Sequence, residues 1–258
     1  MRCGWERIKK GGFMAHRSFS CISWNIHRCR GNDGRVDQDR IVQVLADEIW
    51  TDGTDALILQ EADQECPPHG GLLDIAAVEA ATGLRYAHAP VERRWAAGSH
   101  GFLGVIMFLR PDITVEVMNL VDLPGHCHRG AVVADLARGD QQFRLIGTHM
   151  SLWQGLRLAQ LRIISQYLFR QEARPTVLVG DLNEWRPWGG LALSPRLLGT
   201  AFKGPAKGTF PISRPILPLD RILATEPARV ATTRVLDGPG IRIASDHRPL
   251  SAEIALPG

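Results

Sequence analysis

Residues 176–183 read Thr-Val-Leu-Val-Gly-Asp-Leu-Asn. A β-branched apolar run carries the chain to Asp181 and Asn183, and Gly180 lets the backbone approach a neighbour closely just before them. The pattern predicts a buried strand of an α/β protein that delivers a carboxylate to the mouth of a cleft. An Asp at a strand end also serves as the cap of a following helix, so the reading depends on what the other strand ends carry.

Just upstream, apolar residues at 158, 161, 163, 164 and 168 predict a helix over residues 156–172, with Arg157, Arg162, Arg170 and Arg174 as its solvated charge. Before it, a predicted strand over residues 142–148 ends on His149. The same plan stands near the start of the chain. A strand over residues 19–24 ends on Asn25, and a helix over residues 37–50 has Asp37 as its cap and Ile41, Val44, Leu45 and Ile49 on its apolar face. A second strand over residues 55–60 then ends on Glu61. Two strand–helix–strand units therefore bring Asn25 and Glu61, then His149 and Asp181, to strand ends.

Between the units the pattern predicts a helix over residues 72–82 stopped by Gly83 and a short strand over residues 84–89. Strands follow over residues 102–109, 113–119, 131–137 and 142–148, and turn signals at Arg110-Pro111-Asp112 and Arg138-Gly139-Asp140 make them antiparallel hairpins. His126-Cys127-His128 lies in this block; without a partner Cys pair it reads as a loop rather than a zinc site. Downstream, a strand over residues 219–224 has Asp220 inside it, where a carboxylate is costly unless paired. Strands over residues 229–236 and 249–254 flank Ser245-Asp246-His247.

Composition bounds the function. At 258 residues, 45% hydrophobic and 22% charged, the chain is an ordinary globular protein with room for a sizeable core. It has no run approaching the roughly 18 apolar residues of a membrane span and no secretory signal pattern. Five cysteines with no CxxC pair imply a reducing, cytoplasmic setting. Five basic residues against Glu6 put +4 on residues 1–18 and leave −1 on the rest of a +3 chain. The body is thus not basic, which counts against a dedicated duplex binder. We expect residues 1–18 to be a disordered basic tail, with Met14 an alternative start, and residues 19–258 to be a single domain.

The set Trp24-Asn25, Gln60-Glu61, Thr148-His149, Gly180-Asp-Leu-Asn183, Leu219-Asp-Arg-Ile222 and Ser245-Asp-His247 resembles, in order and spacing, the endonuclease/exonuclease/phosphatase superfamily of metal-dependent phosphohydrolases. The resemblance implies a DNase I-like α/β fold: a four-layer α/β/β/α sandwich of two mixed, mostly antiparallel sheets, with the active site where strand ends and loops meet. It also implies roles. Glu61 would bind a hard divalent cation, with Asn25 and Asp246 close by, an oxygen-donor set that suits Mg²⁺ or Mn²⁺. Asp181 would orient and deprotonate the attacking water, helped by Asn183. His247, fixed by Asp220, would stand by the phosphoryl oxygens, and His149 would stabilise the transition state or protonate the leaving oxygen. Arg129 is a lesser candidate for phosphate contact.

Departures from the family narrow the substrate. Branches acting at abasic DNA sites present a Tyr motif where this chain has Thr148-His149, and inositol polyphosphate phosphatases carry aromatic motifs where this chain has Pro218-Leu219 and Glu184-Trp185. Both branches are disfavoured. Val105 replaces an Asn found in many branches, so one polar contact is expected to be missing. The implied activity is a phosphodiesterase most similar to small bacterial members of unassigned substrate. Its alternatives are a nuclease using the basic tail and the Trp185/Trp188 loop, a sphingomyelinase-like enzyme on phospholipid head groups, and an inactive scaffold.

Overall fold

The computed structural model describes residues 17–125 and 129–257. The triplet at 126–128 and residues 1–16 of the basic tail lie outside the described residues, whereas residues 17 and 18 open the first strand. No helix among the described residues is long and apolar enough to cross a membrane.

The first strand–helix–strand unit is β1 (Arg17–Asn25), α1 (Gln38–Val44) and β2 (Ala56–Gln60), and β1 and β2 are parallel. Asp37 caps α1 by accepting from Arg40 N at 2.9 Å. The helix ends in a wide turn over Leu45–Ile49, closed by Trp50 N donating to Leu45 O. Next come α2 (Ile75–Thr82), β3 (Arg85–Tyr86) and β4 (Ile106–Leu109). Gly83, at φ 67°, ends α2 in the left-handed conformation.

The predicted run of four hairpin strands divides between two sheets. β4 pairs antiparallel with β2 in the first sheet, and only β5 (Thr114–Leu123), β6 (Arg129–Arg138) and β7 (Gln141–His149) form the antiparallel meander that starts the second. The turn at 110–112 is therefore a crossing between sheets, anchored where Arg110 and Arg138 both reach Asp55. The predicted strand at 102–109 loses its first residues to a tight turn in which Phe102 and Val105 bond to each other.

The second unit is β7, α3 (Gln154–Phe169) and β8 (Thr176–Asp181), again with parallel strands. After a short helix α4 (Pro195–Leu198) comes β9 (Asp220–Ala224), then β10 (Arg229–Val235), a second short helix α5 (Pro239–Ala244) and β11 (Leu250–Leu256). The two short helices carry too few apolar positions to announce themselves as periodic segments. The strand orders are β10-β11-β1-β2-β4-β3 and β5-β6-β7-β8-β9. In each sheet a parallel pair is flanked on both sides by antiparallel neighbours, so the repeat read from the sequence is a repeat of topology.

Alternation along the strands builds the four layers. Cys21, Ile58, Leu145, Val177 and Val179 face inward and form the core between the sheets. Their neighbours Ile22, Leu57 and Leu59 pack outward against Ile41 of α1 and Val78 of α2, while Ile146 and Leu178 pack against Leu161 and Ile164 of α3. Full burial of each such side chain contributes about 1.5–3 kcal/mol. Both parallel pairs are buried on two faces, which is why their strands read as near-continuous apolar runs.

One expectation about α3 fails. Arg157 is buried at 2% exposure rather than solvated, because it lies on the same helical face as Gln160, Leu161 and Ile164. Its guanidinium donates to Ser151 O and Leu152 O and pairs with the buried Glu184 at 3.4 Å. Glu184 also holds Arg186, which donates to Gln154 Oε1, while Arg221 donates to the carbonyls of Glu184 and Arg186. This buried network ties the loop after β7 to the loop after β8.

Candidate active site

The register of the second sheet places three candidate side chains in one row. His149 is opposite Asp181 across the parallel β7–β8 pair, and Asp181 is opposite Asp220 across β8–β9. In the first sheet Asn25 is opposite Gln60, so Glu61 emerges one residue beyond that pair. The two sheets face each other, and the rows converge: Asn25 Nδ2 donates to Asp181 Oδ2 at 3.1 Å and to Glu61 Oε1 at 3.4 Å.

The backbone is bent sharply at these ends. Glu61 has φ 61° and Asn183 has φ 52°, both in the left-handed region that L-residues seldom occupy. Gly180 has φ 142°, and a Cβ there would fall 1.9 Å from the Thr148 carbonyl oxygen. Just past β1, His27, Arg28 and Cys29 are all at positive φ, which turns the Arg28 guanidinium back over Glu61.

Asp181 is 1% exposed. Its Oδ1 accepts from Asn183 N at 2.9 Å, and Asn183 is itself held by its Nδ2 donating to Met150 O. Burial raises the Asp181 carboxyl to about 6; the His247 charge lowers it and the Asp220 charge raises it. His247 Nδ1 meets Asp220 Oδ2 at 2.8 Å, and its Nε2 is 3.8 Å from Asp181 Oδ2. Burial pulls the His247 pKa down, but the carboxylates of Asp220 and Asp181 outweigh it and bring it to about 10. His149 lies 3.5 Å from Asp181 and 3.9 Å from Glu61. Its pKa falls well below 6.5, through burial first and then the charges of Arg129, His247 and Arg28. One imidazole is thus a cation and the other neutral.

Asp246 is linked to Asn25 through Ser245, whose Oγ lies 2.7 Å from Asn25 O and 3.5 Å from Asp246 Oδ1. It is partly exposed, and the His27 ring nitrogen Nδ1 lies 3.7 Å from its Oδ1. Arg129 lines the same small recess as His149, Glu61 and Arg28. Residues given no role in the sequence reading complete the framework. Thr209 Oγ1 donates to Asp220 Oδ2 at 2.5 Å, and Ser245 Oγ donates to Asn25 O at 2.7 Å and accepts from His247 N. Arg28 Nη1 is 2.7 Å from Glu61 Oε2 and its Nη2 is 3.1 Å from Glu65. Ser245 belongs to a recognised motif; Thr209 and Arg28 have no local pattern that marks them.

Two nests of donors merit comparison for a cation. Among the described residues, ligand atoms of Asp181, Asp220 and His247 all lie within 4.8 Å of one another. The cationic His247 offsets one of those two carboxylates, and a metal there would meet its repulsion. At the other, Glu61 offers carboxylate oxygens, one of which has drawn the Arg28 guanidinium, while Asn25 turns Nδ2 to Glu61 and its Oδ1 accepts from His27 N. That chemistry fits a hard divalent ion.

Two spaces border candidate residues, one lined by Glu61 and His149 and the other by Asp246. On the Glu61 side Arg28, Glu65, His69 and Arg129 close the recess to about 10 Å³. On the other side a cavity of about 670 Å³ opens beside Asp246, between the 210–213 loop and α5.

A profile described as the Endonuclease/Exonuclease/phosphatase family matches residues 22–247. The uncharacterized protein YbhP of Escherichia coli (strain K12) is 34% identical over 113 residues, and the match spans 42% of this chain and only 44% of that relative's length. Among solved structures, an endonuclease/exonuclease/phosphatase from Beutenbergia cavernae has a TM-score of 0.64 at 22% identity, covering 94% of this chain and 72% of its own. A mannosyl-6-phosphatase from Bacteroides thetaiotaomicron has a TM-score of 0.65 at 17% identity, covering 92% of this chain and 99% of its own.

Proposed function

The chain belongs to the endonuclease/exonuclease/phosphatase family, and from that premise we propose that it is a divalent-metal-dependent phosphohydrolase, in particular a phosphodiesterase. The observation that carries the reading is the convergence of Asn25, Glu61, His149, Asp181 and the Asp220–His247 pair at the strand ends of two facing sheets. Nothing in folding alone asks for buried carboxylates gathered in this way.

Asn25 and Glu61 would hold Mg²⁺ or Mn²⁺, with Asp246 at the rim. Such an ion neutralises charge on the phosphoryl group and lowers the pKa of water. Asp181 accepts the proton of the attacking water through Oδ2, the oxygen that Asn25 orients, while Asn183 N fixes Oδ1. The imidazolium of His247, held by Asp220, donates from Nε2 to a phosphoryl oxygen. Its positive charge suits it to the oxygens that gain charge in the transition state. The neutral His149 acts as a hydrogen-bond donor to the reacting group rather than as a store of a proton.

Glu61→Ala, Asp181→Ala and His247→Ala are each expected to lower Mn²⁺-dependent cleavage of bis(p-nitrophenyl) phosphate by about a thousandfold. Circular dichroism should show the fold unchanged. Full activity in any one variant would sink the assignment of roles.

A nuclease is the second reading. Trp153 and Trp188 are 71% and 76% exposed on the loops that follow β7 and β8, and aromatic rings beside a phosphate site are platforms for bases. Incubation of plasmid and single-stranded DNA with the protein and Mg²⁺ tests it. No nicking at high protein concentration, together with cleavage of phosphocholine diesters, would favour a phospholipid substrate instead.

A further inference from the structure

We infer that Glu184 is a positioning residue, whose buried carboxylate holds the loops that carry His149, Asn183 and Asp220 in the alignment the reaction needs. The inference rests on the phosphohydrolase reading and names residues outside the proposed catalytic set. β7 and β8 end, and β9 begins, at the row of His149, Asp181 and Asp220. The backbone ladder runs only one step further, where Met150 N donates to Asp181 O at 2.8 Å and Leu182 N to Leu219 O at 2.9 Å. Past that step the described ties between these loops are made by side chains.

Glu184 stands where the loops meet, and it is fully buried. Its carboxylate accepts from Arg186 N at 3.1 Å and from Arg186 Nη1 at 3.0 Å, and it pairs with Arg157 Nη2 at 3.4 Å. Arg157 carries the tie to the loop after His149, donating from Nη1 to the carbonyls of Ser151 and Leu152. On the same face of α3, Gln160 accepts from Ser151 N at 2.9 Å and donates to Pro124 O at 2.7 Å. Arg221, the neighbour of Asp220, donates to Glu184 O at 3.2 Å, to Arg186 O at 2.8 Å and to Pro218 O at 2.7 Å. His149, Asn183 and Asp220 therefore each stand close in the chain to an anchor on this network, at Ser151, Glu184 and Arg221 respectively.

Stability alone does not call for such a cluster. One carboxylate stands among three guanidiniums, and two of them, Arg157 and Arg221, are 2% and 1% exposed. Desolvating such charges costs about as much as their pairing returns, and apolar side chains of the same volume would fill the space as well. What the planar, forked guanidiniums add is direction, since each fixes its carbonyl partners at set angles. Direction matters here because Asn183 sits at φ 52°, in the left-handed region, and Asp181 Oδ1 takes its aim from Asn183 N. A loop that slips by about 1 Å would turn Asp181 from the water it deprotonates, a misplacement that costs about a hundredfold in rate.

The test separates aim from stability. Glu184→Gln keeps the shape of the side chain and leaves Arg157 facing a neutral amide, and the double change Glu184→Gln with Arg157→Met removes the stranded charge as well. With bis(p-nitrophenyl) phosphate in Mn²⁺, Glu184→Gln should lower kcat about a hundredfold, keep KM within about twofold and lower Tm by about 10 °C. The double variant should recover most of the Tm and stay slow, because the ties to Ser151 and Leu152 are gone; it carries the comparison where Glu184→Gln does not fold. Recovery of kcat together with Tm, wild-type kcat in Glu184→Gln, or a loss confined to KM would overturn the inference. Lys203→Ala, which breaks an exposed ion pair with Glu226, is the control and should match the wild type. A wild type that turns over no diester sinks the phosphohydrolase reading, and the positioning role is then judged without it. The imidazole ¹⁵N resonances of His149 in the metal-free protein should move in both Glu184 variants and stay in place in Lys203→Ala. Unmoved resonances in the Glu184 variants would discard the positioning role.

Discussion

Arg28 lies at the proposed cation site, with Nη1 2.7 Å from Glu61 Oε2 and Nη2 on Glu65. A metal ion entering the Asn25–Glu61 nest has to displace that guanidinium, so the arginine sets a threshold for metal affinity. An ion pair between side chains 28% and 11% exposed is worth about 1 kcal/mol, and Arg28→Met should therefore tighten Mn²⁺ binding about fivefold by calorimetry. Unchanged or weaker binding would remove Arg28 from competition. Gly180 is constrained in another way. Gly180→Ala places a methyl group against the Thr148 carbonyl at a φ that L-residues avoid, and should cost on the order of 2 kcal/mol in urea denaturation while displacing Asp181. At this scale the sequence was informative where Asn25, His149, Asp181 and Asp220 end or open strands and Glu61 and Asn183 follow strand ends, whereas His247 lies between α5 and β11 and was marked only by its motif. It was silent on Arg28, whose position follows from three successive left-handed residues, and on Thr209, whose bond to Asp220 spans a Pro-rich loop.

Elements were legible where periodicity was strong and buried on both faces. β8, β2 and α2 lie where their apolar runs and caps place them, whereas β3 shrinks to two residues and β4 starts late, since loop bonds claim the residues before it. Arg157 was misread because its partner Glu184 lies 27 residues further on, beyond any local pattern. The segment between β3 and β4 carries a pH dependence. His88 is wholly buried, accepting from Met107 N at its Nε2 and lying 2.7 Å from Arg93 O at its Nδ1. Burial lowers its pKa from 6.5 to about 4. The unfolded chain therefore binds the proton more readily. The stability due to neutral His88 is complete above pH 6.5 and is lost as pH falls through the window down to about 4, amounting to about 3 kcal/mol in all. Urea titrations at pH 7 and pH 4.5 should differ in this sense, and His88→Gln should flatten the difference; an unchanged slope would exclude His88 as its source.

As a whole the molecule is two similar sheets whose chemistry belongs to neither. Asn25 and Glu61 come from one and His149, Asp181 and Asp220 from the other, so a bound ion would stabilise their joint arrangement. Because only the folded chain assembles that nest, Mn²⁺ at about a hundred times its Kd should contribute about 2.7 kcal/mol and raise Tm. Glu61→Ala should abolish the rise, and its persistence would place the ion elsewhere, for instance at Asp181, Asp220 and His247. The two-fold plan was visible in the sequence as a repeated strand–helix–strand unit. The large cavity was not, since residue 32, the 210–213 loop and the 242–248 segment meet only in three dimensions.

The placement of β1 between β11 and β2 bears on how the protein is made. The ribosome delivers β5 to β9 as one contiguous stretch that ends at Ala224, so the second sheet is complete in sequence while the first still lacks β10 and β11. β1, made before every other described strand, waits for Leu250–Leu256 before its second edge is paired. The sheet completed last is thus the one with β1 at its centre. A nascent chain stalled short of β11 would expose the open edge of β1 to chaperones and to other chains.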